Sequence, residues 1–221
     1  DRICSDYLRI LQGATKRYRI SLPDRQLVCA PFESDEGQRY FRAMCAGANY
    51  AWANRECITH FVRDAFSKLF GDIELELLYD VAHNIAKIEK HIVDKEQIKL
   101  CVHRKGATRA FPKNSEGIPK EYRSIGQPVL IPGDMGTASY ILVGTEKSAE
   151  TFYSTCHGAG RVMSRTKAKR KFFANDIKKE LEVKGIYLRA ASKPVIAEEA
   201  PQAYKSVDEI VRVTEVAGIS K

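Results

Sequence analysis

The sequence predicts an α/β chain of the α+β kind, with a mixed β-sheet core and flanking helices. Three observations predict it. Both ends carry apolar residues at helical spacing, and the middle carries short β-rich runs separated by Gly, Pro, Asn and Asp. The composition, 44% hydrophobic and 29% charged over 221 residues, belongs to a chain that buries a core without disulfide or metal staples, and not to a disordered tail.

The elements follow in order. Ile3, Tyr7, Leu8, Ile10, Leu11 and Ala14 recur as one face of a helix, and Pro23 with Asp24 closes the loop after it. Asp35 followed by Gln38 has the spacing of an N-terminal capping box. Tyr40, Phe41, Met44, Ala48, Trp52, Phe61, Ala65 and Phe66 then carry a second, long helix toward Gly71. The period changes beyond it, and strands are expected over 75–81, 98–103, 128–131 and 139–143. Helices are expected over 173–183 and 207–217, with a strand over 186–190 between them. No repeat, low-complexity linker or composition shift marks a second domain.

The chain carries 36 Lys and Arg against 28 Asp and Glu, a formal net charge of +8, which favours a polyanionic partner. Six cysteines, Cys4, Cys29, Cys45, Cys57, Cys101 and Cys156, form no Cys-x-x-Cys pair and read as reduced thiols of a cytoplasmic protein. No apolar run approaches the ~18 residues of a membrane span, and the N-terminal stretch lacks the apolar core of a secretion signal. These features weigh against membrane proteins and disulfide-framed secreted domains.

Four loops concentrate groups suited to phosphate chemistry. His83-Asn84-Ile85-Ala86-Lys87 follows the expected strand end, where a neutral imidazole can ligate a divalent metal or touch a phosphate, or simply sit satisfied at the surface. His103 through Pro112 packs Arg104, Lys105 and Arg109 around Gly106, which reads either as a phosphate cradle or as a solvated basic turn. Cys156-His157-Gly158-Ala159-Gly160-Arg161 sets a histidine beside glycines that admit a bulky ligand to the backbone; its imidazole can act as nucleophile, ligand or structural residue. Arg165, Lys167, Lys169, Arg170 and Lys171 follow, and residues 161–171 hold no acid, so the stretch attracts phosphodiesters whatever their sequence. Pro132-Gly133-Asp134-Met135-Gly136-Thr137-Ala138-Ser139 offers N–H and hydroxyl donors to a nucleotide. None of these is a P-loop or a dinucleotide fingerprint. Residue chemistry alone reaches a phosphate-handling α/β protein with a candidate metal ligand.

Taken jointly, and in this order and spacing, Tyr79 through Lys87, His103 through Pro112, Gly126 through Gly133, Met135-Gly136-Thr137-Ala138-Ser139-Tyr140 and Ser154 through Arg161 resemble the RtcB family of RNA ligases. Pro23-Asp24-Arg25-Gln26-Leu27, Glu36 through Phe41, Asn49 through Arg55 and Glu198-Glu199-Ala200-Pro201 extend the resemblance over essentially the whole chain. It implies a GTP- and Mn²⁺-dependent ligase of tRNA splicing and RNA repair. Such a ligase joins RNA ends, tRNA halves included, that carry a 2′,3′-cyclic phosphate or 3′-phosphate to 5′-hydroxyl ends, with archease as an activating partner. By the same resemblance His157 is the nucleophile that accepts GMP, His83 is a manganese ligand, and Asn84 lies near the guanylate. Pro132, Gly133, Asp134, Met135 and Ser139 line the nucleotide pocket, Gly158, Ala159 and Gly160 approach its phosphate, and Tyr204 meets the guanine. Arg104, Lys105, Arg109, Arg161 and Arg165 are the cations available to RNA or GTP phosphates.

The family pattern also begins upstream of this stretch, with an Asp, a Cys and two further His that complete a two-manganese site. One of those His falls where Asp1 stands. The pattern continues past Lys221 into a segment whose Lys reaches the guanine, and Asp134 stands at a variable position where Ser or Thr can also stand. The expectation is therefore the C-terminal portion of a single RtcB-like domain, with apolar surface open where the rest would pack. The competing expectations are a non-catalytic RNA-binding fragment and a metal-dependent phosphoesterase in which His83 and His157 both ligate metal.

Overall fold

The computed structural model describes residues 2–24 and 27–221. Asp1 and the Arg25-Gln26 pair lie outside the described residues. The chain forms two compact units, Asp1–Leu78 and Tyr79–Lys221.

The first unit is a helical pair, α1 (Arg2–Arg17) and α2 (Asp35–Phe70). Leu11 and Ala14 are the buried positions of the α1 face. Thr15 Oγ1 fastens that helix to the following loop, accepting from Cys29 N at 3.0 Å and donating to Leu11 O at 2.8 Å. Tyr18 donates to Glu36 at 3.1 Å, and the Tyr7 and Tyr40 rings meet at 5.6 Å. The cap of α2 falls one residue before the expected Asp35. Ser34 accepts from Gly37 N, a hydroxyl cap that leaves the Asp35 and Glu36 charges to favour the helix N-terminus. The helix ends at Gly71 as expected, with Gly71 N donating to Ser67 O.

No strand forms over 75–81. A β-rich run becomes a strand only where a second backbone supplies the ladder, and none of the described residues pairs with this one.

The second unit holds the site. β1 (Asn84–Val93) and β2 (Glu96–Lys105) form an antiparallel hairpin turned by Asp94 and Lys95. Both turn residues have positive φ, at 51° and 70°, the geometry that matches the twist of two-residue hairpins. β3 (Ala107–Arg109) pairs with β6 (Ser154–Cys156), and β4 (Pro128–Ile131) pairs with β5 (Tyr140–Val143). The helices are α3 (Arg165–Lys171), α4 (Ala174–Val183), α5 (Lys193–Glu198) and α6 (Val207–Ala217).

The α+β class holds. The strands, however, make three separate two-stranded antiparallel sheets among the described residues, not one mixed sheet. The link between β2 and β3 is the single residue Gly106, too short for the crossover that a parallel pair needs. Val129, Ile131, Leu142 and Val207 build one apolar cluster beneath β4, β5 and α6. Ile177, Leu181 and Ile196 build another beneath α4 and α5. The expected strand over 186–190 is unpaired chain, because Ile186 and Leu188 pack onto that second cluster instead of entering a ladder. Among the described residues no helix is long and apolar enough to cross a membrane.

Candidate active site

Gly106 joins the two histidine loops. Its N–H donates to the His83 carbonyl at 2.8 Å and reaches the Asn84 side-chain oxygen at 3.2 Å, while its carbonyl accepts from His157 N at 3.1 Å. The hairpin register sets Asn84 against Lys105, and the β3–β6 ladder sets Ala107 against Cys156. The residue before β1 and the residue after β6 therefore flank one glycine. Their imidazoles stack with centroids 4.2 Å apart and planes 21° from parallel.

The His157 ring is only partly exposed, and its Nδ1 is buried. Burial pushes the His157 pKa below the usual imidazole value and the neighbouring His83 pushes it further, against a smaller opposing pull from a backbone hydrogen bond at Leu130. The imidazole is thus neutral at pH 7, the form that has a lone pair to donate.

A cavity of about 610 Å³ opens beside His157. Pro132, Gly133, Asp134 and Met135 form one wall, and Gly158, Ala159 and Gly160 continue from the histidine along its floor. The first wall is a self-bonded loop. Gly133 N donates to Ser139 Oγ at 3.1 Å, Asp134 N to Thr137 Oγ1 at 2.9 Å, and Gly136 N to the Asp134 carboxylate at 2.8 Å. A Cβ on Gly133 would lie 2.0 Å from the Ala138 carbonyl oxygen, so this wall closes only around glycine. Gly158 and Gly160 have φ of 139° and 51°, values that side chains resist, and these turn the chain around the cavity.

Tyr204 arrives by backbone pairing. Lys205 N donates to Gly160 O at 3.1 Å and Val162 N to Ala203 O at 2.9 Å, which places Arg161 opposite Tyr204. The Arg161 guanidinium lies 4.7 Å from the Tyr204 ring centroid and donates to the Tyr204 hydroxyl at 2.7 Å. That hydroxyl donates in turn to Glu199 Oε2, while Arg165 Nε donates to Glu199 Oε1 at 3.1 Å. Burial pushes the Glu199 carboxyl up, but the hydrogen bonds from Tyr204 and Arg165 and the nearby guanidinium charges outweigh it and hold the carboxyl below its ordinary range.

The structure brings Pro132, Gly133, Asp134, Met135, His157, Gly158, Ala159, Gly160 and Tyr204 together around the cavity. His83, Asn84 and Ser139 stand beside that lining: His83 on the His157 ring, Asn84 on Gly106, and Ser139 behind Gly133. The five cations divide. Arg161 and Arg165 gather at Glu199 on the cavity wall. Lys105 is exposed at the end of β2, and Arg109 lies 5.3 Å from the Phe111 ring centroid, away from the cavity.

Arg104 is not a surface phosphate contact. It is 3% exposed, forks onto Glu89 with two bonds of 2.8 Å, and donates to Ser154 Oγ and Phe152 O. Alternation along β2 points it inward while Lys105 points out.

Glu199, Val195, Ile196 and the chain over 188–191 also line the cavity and carried no role in the sequence reading. The Glu198-Glu199-Ala200-Pro201 run was the available signal for Glu199, since acids opposite Arg161 and Arg165 are natural partners.

The cavity offers a nucleotide a glycine-lined wall, the Tyr204 ring and the Arg189 guanidinium, groups that fit GTP. Among the described residues no group of three or more His, Cys, Asp or Glu side chains is placed to hold a metal ion, and His83 supplies a single imidazole.

The family model for tRNA-splicing ligase RtcB matches residues 1–221. A tRNA-splicing ligase RtcB of Pyrococcus furiosus is 60% identical over 226 residues, covering 100% of this chain and 23% of the relative. That of Archaeoglobus fulgidus is 60% identical over 225 residues, covering 100% and 47%, and that of Methanocaldococcus jannaschii is 60% identical over 224 residues, covering 99% and 23%. The chain spans between about a quarter and about half the length of these curated relatives. With matches along its whole length, the chain belongs to the tRNA-splicing ligase RtcB family.

Proposed function

We propose that these residues form the nucleotide-activating centre of an RNA ligase that uses GTP and Mn²⁺. It joins RNA ends bearing a 3′-phosphate or 2′,3′-cyclic phosphate, tRNA halves among them, to 5′-hydroxyl ends in tRNA splicing and RNA repair. The observation that carries this reading is the His157 imidazole, held neutral at the rim of a glycine-lined cavity and stacked on His83.

In the first step an imidazole nitrogen of His157 attacks the α-phosphorus of GTP. A phosphorus–nitrogen bond forms, the bond to the bridging oxygen breaks, and pyrophosphate leaves with the electron pair. An oxygen of the RNA 3′-phosphate then takes the GMP group from His157, and the 5′-hydroxyl attacks the activated 3′-phosphorus, releasing GMP. Backbone N–H groups of Ala159 and Gly160 are the donors offered to the phosphates, Arg189 supplies positive charge on the cavity wall, and Arg161 and Arg165 hold Glu199 there. Tyr204 faces the base. Mn²⁺ supplies charge neutralisation on the phosphoryl oxygens when bound; His83 is the one ligand these residues offer it. All six cysteines are free thiols, which fits a reducing compartment, and we place the reaction in the cytoplasm, with archease as its activating partner.

The test is covalent labelling of the full-length protein by α-phosphate-labelled GTP with Mn²⁺. Label should appear on the parent and vanish in His157→Ala. A label that survives this substitution, or a parent that takes none, overturns the assignment.

A further inference from the structure

Between α3 and α4 the chain runs through two consecutive phenylalanines in extended conformation, Phe172 at φ −115° and ψ 144° and Phe173 at φ −109° and ψ 130°. Successive side chains of extended backbone point to opposite sides. Phe172 accordingly packs on the α4–α5 cluster, while Phe173 stands 70% exposed. An exposed phenylalanine carries no meaning alone. Both phenylalanines line a hollow of about 410 Å³ together with Lys169, Asn175, Lys193 and Pro194, and Phe173 is its exposed ring.

Two features of the surroundings indicate the occupant. α3 holds five cations in seven residues and no acid. α5 separates the hollow from the nucleotide cavity: Lys193, Pro194 and Ala197 face the hollow, while Val195, Ile196 and Glu199 line the cavity. One helix diameter, ~10 Å, lies between the two. A strand whose terminal phosphate reaches His157 can therefore cross α5 and set a nearby nucleotide against Phe173.

We propose that this hollow is a base-stacking subsite for the single-stranded RNA end being joined, with Phe173 as the platform and Lys193 and Lys169 as its phosphate contacts. The proposal rests on the ligase reading of the cavity. A π-face accepts any base, so the subsite holds the strand without reading its sequence. Lys169 pairs with Glu198 at 2.9 Å, so phosphate competes with a carboxylate there and Lys193 is the stronger contact. Phosphate adds the counterion release that the acid-free helix favours.

The experiment is fluorescence anisotropy of the full-length protein with a 3′-phosphorylated RNA of about ten nucleotides, titrated over a salt series without GTP or metal. Phe173→Ala should weaken binding about tenfold with the salt slope unchanged, and Phe173→Trp should restore it. Lys193→Gln should lower the salt slope by about one. A 3′-phosphorylated mononucleotide, too short to span α5, should bind parent and Phe173→Ala alike. Parent-like RNA binding by Phe173→Ala, or a loss that Phe173→Trp does not restore, overturns the subsite. Labelling at His157 by GTP, measured alongside, reports on the ligase reading itself, so the two failures are separately visible.

Discussion

Arg104 gives the sharpest test, because its environment predicts the opposite of what its charge suggests. Arg104 and Glu89 side chains are 1% and 8% exposed, and the guanidinium forms two 2.8 Å bonds to the carboxylate plus bonds to Ser154 Oγ and Phe152 O. Arg104→Ala removes all four and leaves Glu89 buried, bonded to the His91 imidazole at 3.1 Å with the Arg109 and Lys87 charges nearby. Breaking a buried pair from one side costs about 3–5 kcal/mol, which in a unit of this size lowers the melting midpoint by roughly 10–17 °C. The pH dependence carries the sign. Burial pushes Glu89 up, but Arg104, through hydrogen bonds and charge, together with His91 brings it below its ordinary value. Its contribution is therefore complete above the unfolded carboxylate range and fades as pH falls through the lower folded value. In Arg104→Ala burial acts without that counterweight, so the folded pKa rises. The deficit should be greatest near pH 7 and shrink toward pH 4. Thermal melts of parent, Arg104→Ala, Glu89→Gln and the double variant over that range measure it, and the double variant should be less destabilised than the sum of the singles. If Arg104→Ala melts with the parent but lowers the salt slope of RNA binding, Arg104 is a surface phosphate contact and the buried-pair reasoning fails.

Three further outcomes follow from the site. Gly133→Ala puts a methyl 2.0 Å from the Ala138 carbonyl, so the 132–139 wall must open; GTP affinity by calorimetry should fall at least tenfold while the melting curve moves only slightly. Glu199→Ala frees Tyr204, Arg161 and Arg165 together, and GTP affinity should drop about tenfold, with Glu199→Gln retaining part of it by keeping an acceptor. Val129→Ala, at a fully buried core position under β4, should cost about 1–3 kcal/mol in denaturant melts and leave the salt slope of RNA binding unchanged.

Local chemistry decided which elements could be read from the sequence. The helix over 207–217 and the strand over 128–131 have the expected limits. The helix has its stops in the chain itself, a Ser206 cap and Gly218 at φ 73°, and the strand is a short apolar run that needs no partner to identify its buried face. β1 was hidden because Lys87, Glu89 and His91 share one face of it. That face is charged in sequence yet turned inward, and only the fork from Arg104, fifteen residues away, makes it buriable. The runs at 75–81 and 186–190 failed for the complementary reason, since strand propensity is a statement about neighbours that the segment does not carry. At the site, the loops were legible because glycine and histidine strings are local signals. The clamp of Glu199 on Tyr204, Arg161 and Arg165 was not, because it exists only once residues 160–162 lie against 203–205.

The stacked histidines bear on why an imidazole in this position suits the proposed chemistry at both of its steps. At 4.2 Å, two imidazolium charges repel by about 4 kcal/mol at an effective dielectric constant near 20, so the rings do not both carry protons at neutral pH. Burial and His83 together keep His157 neutral, which secures the lone pair for attack on the α-phosphorus. The same lowered basicity makes imidazole a better leaving group when the GMP must move on to the RNA phosphate. A more basic amine would hold the nucleotide more firmly and slow the second transfer. His157 therefore needs a neighbour that resists its protonation and a backbone that holds the two rings together. Gly106 provides the latter, one residue with a donor toward His83 and an acceptor toward His157.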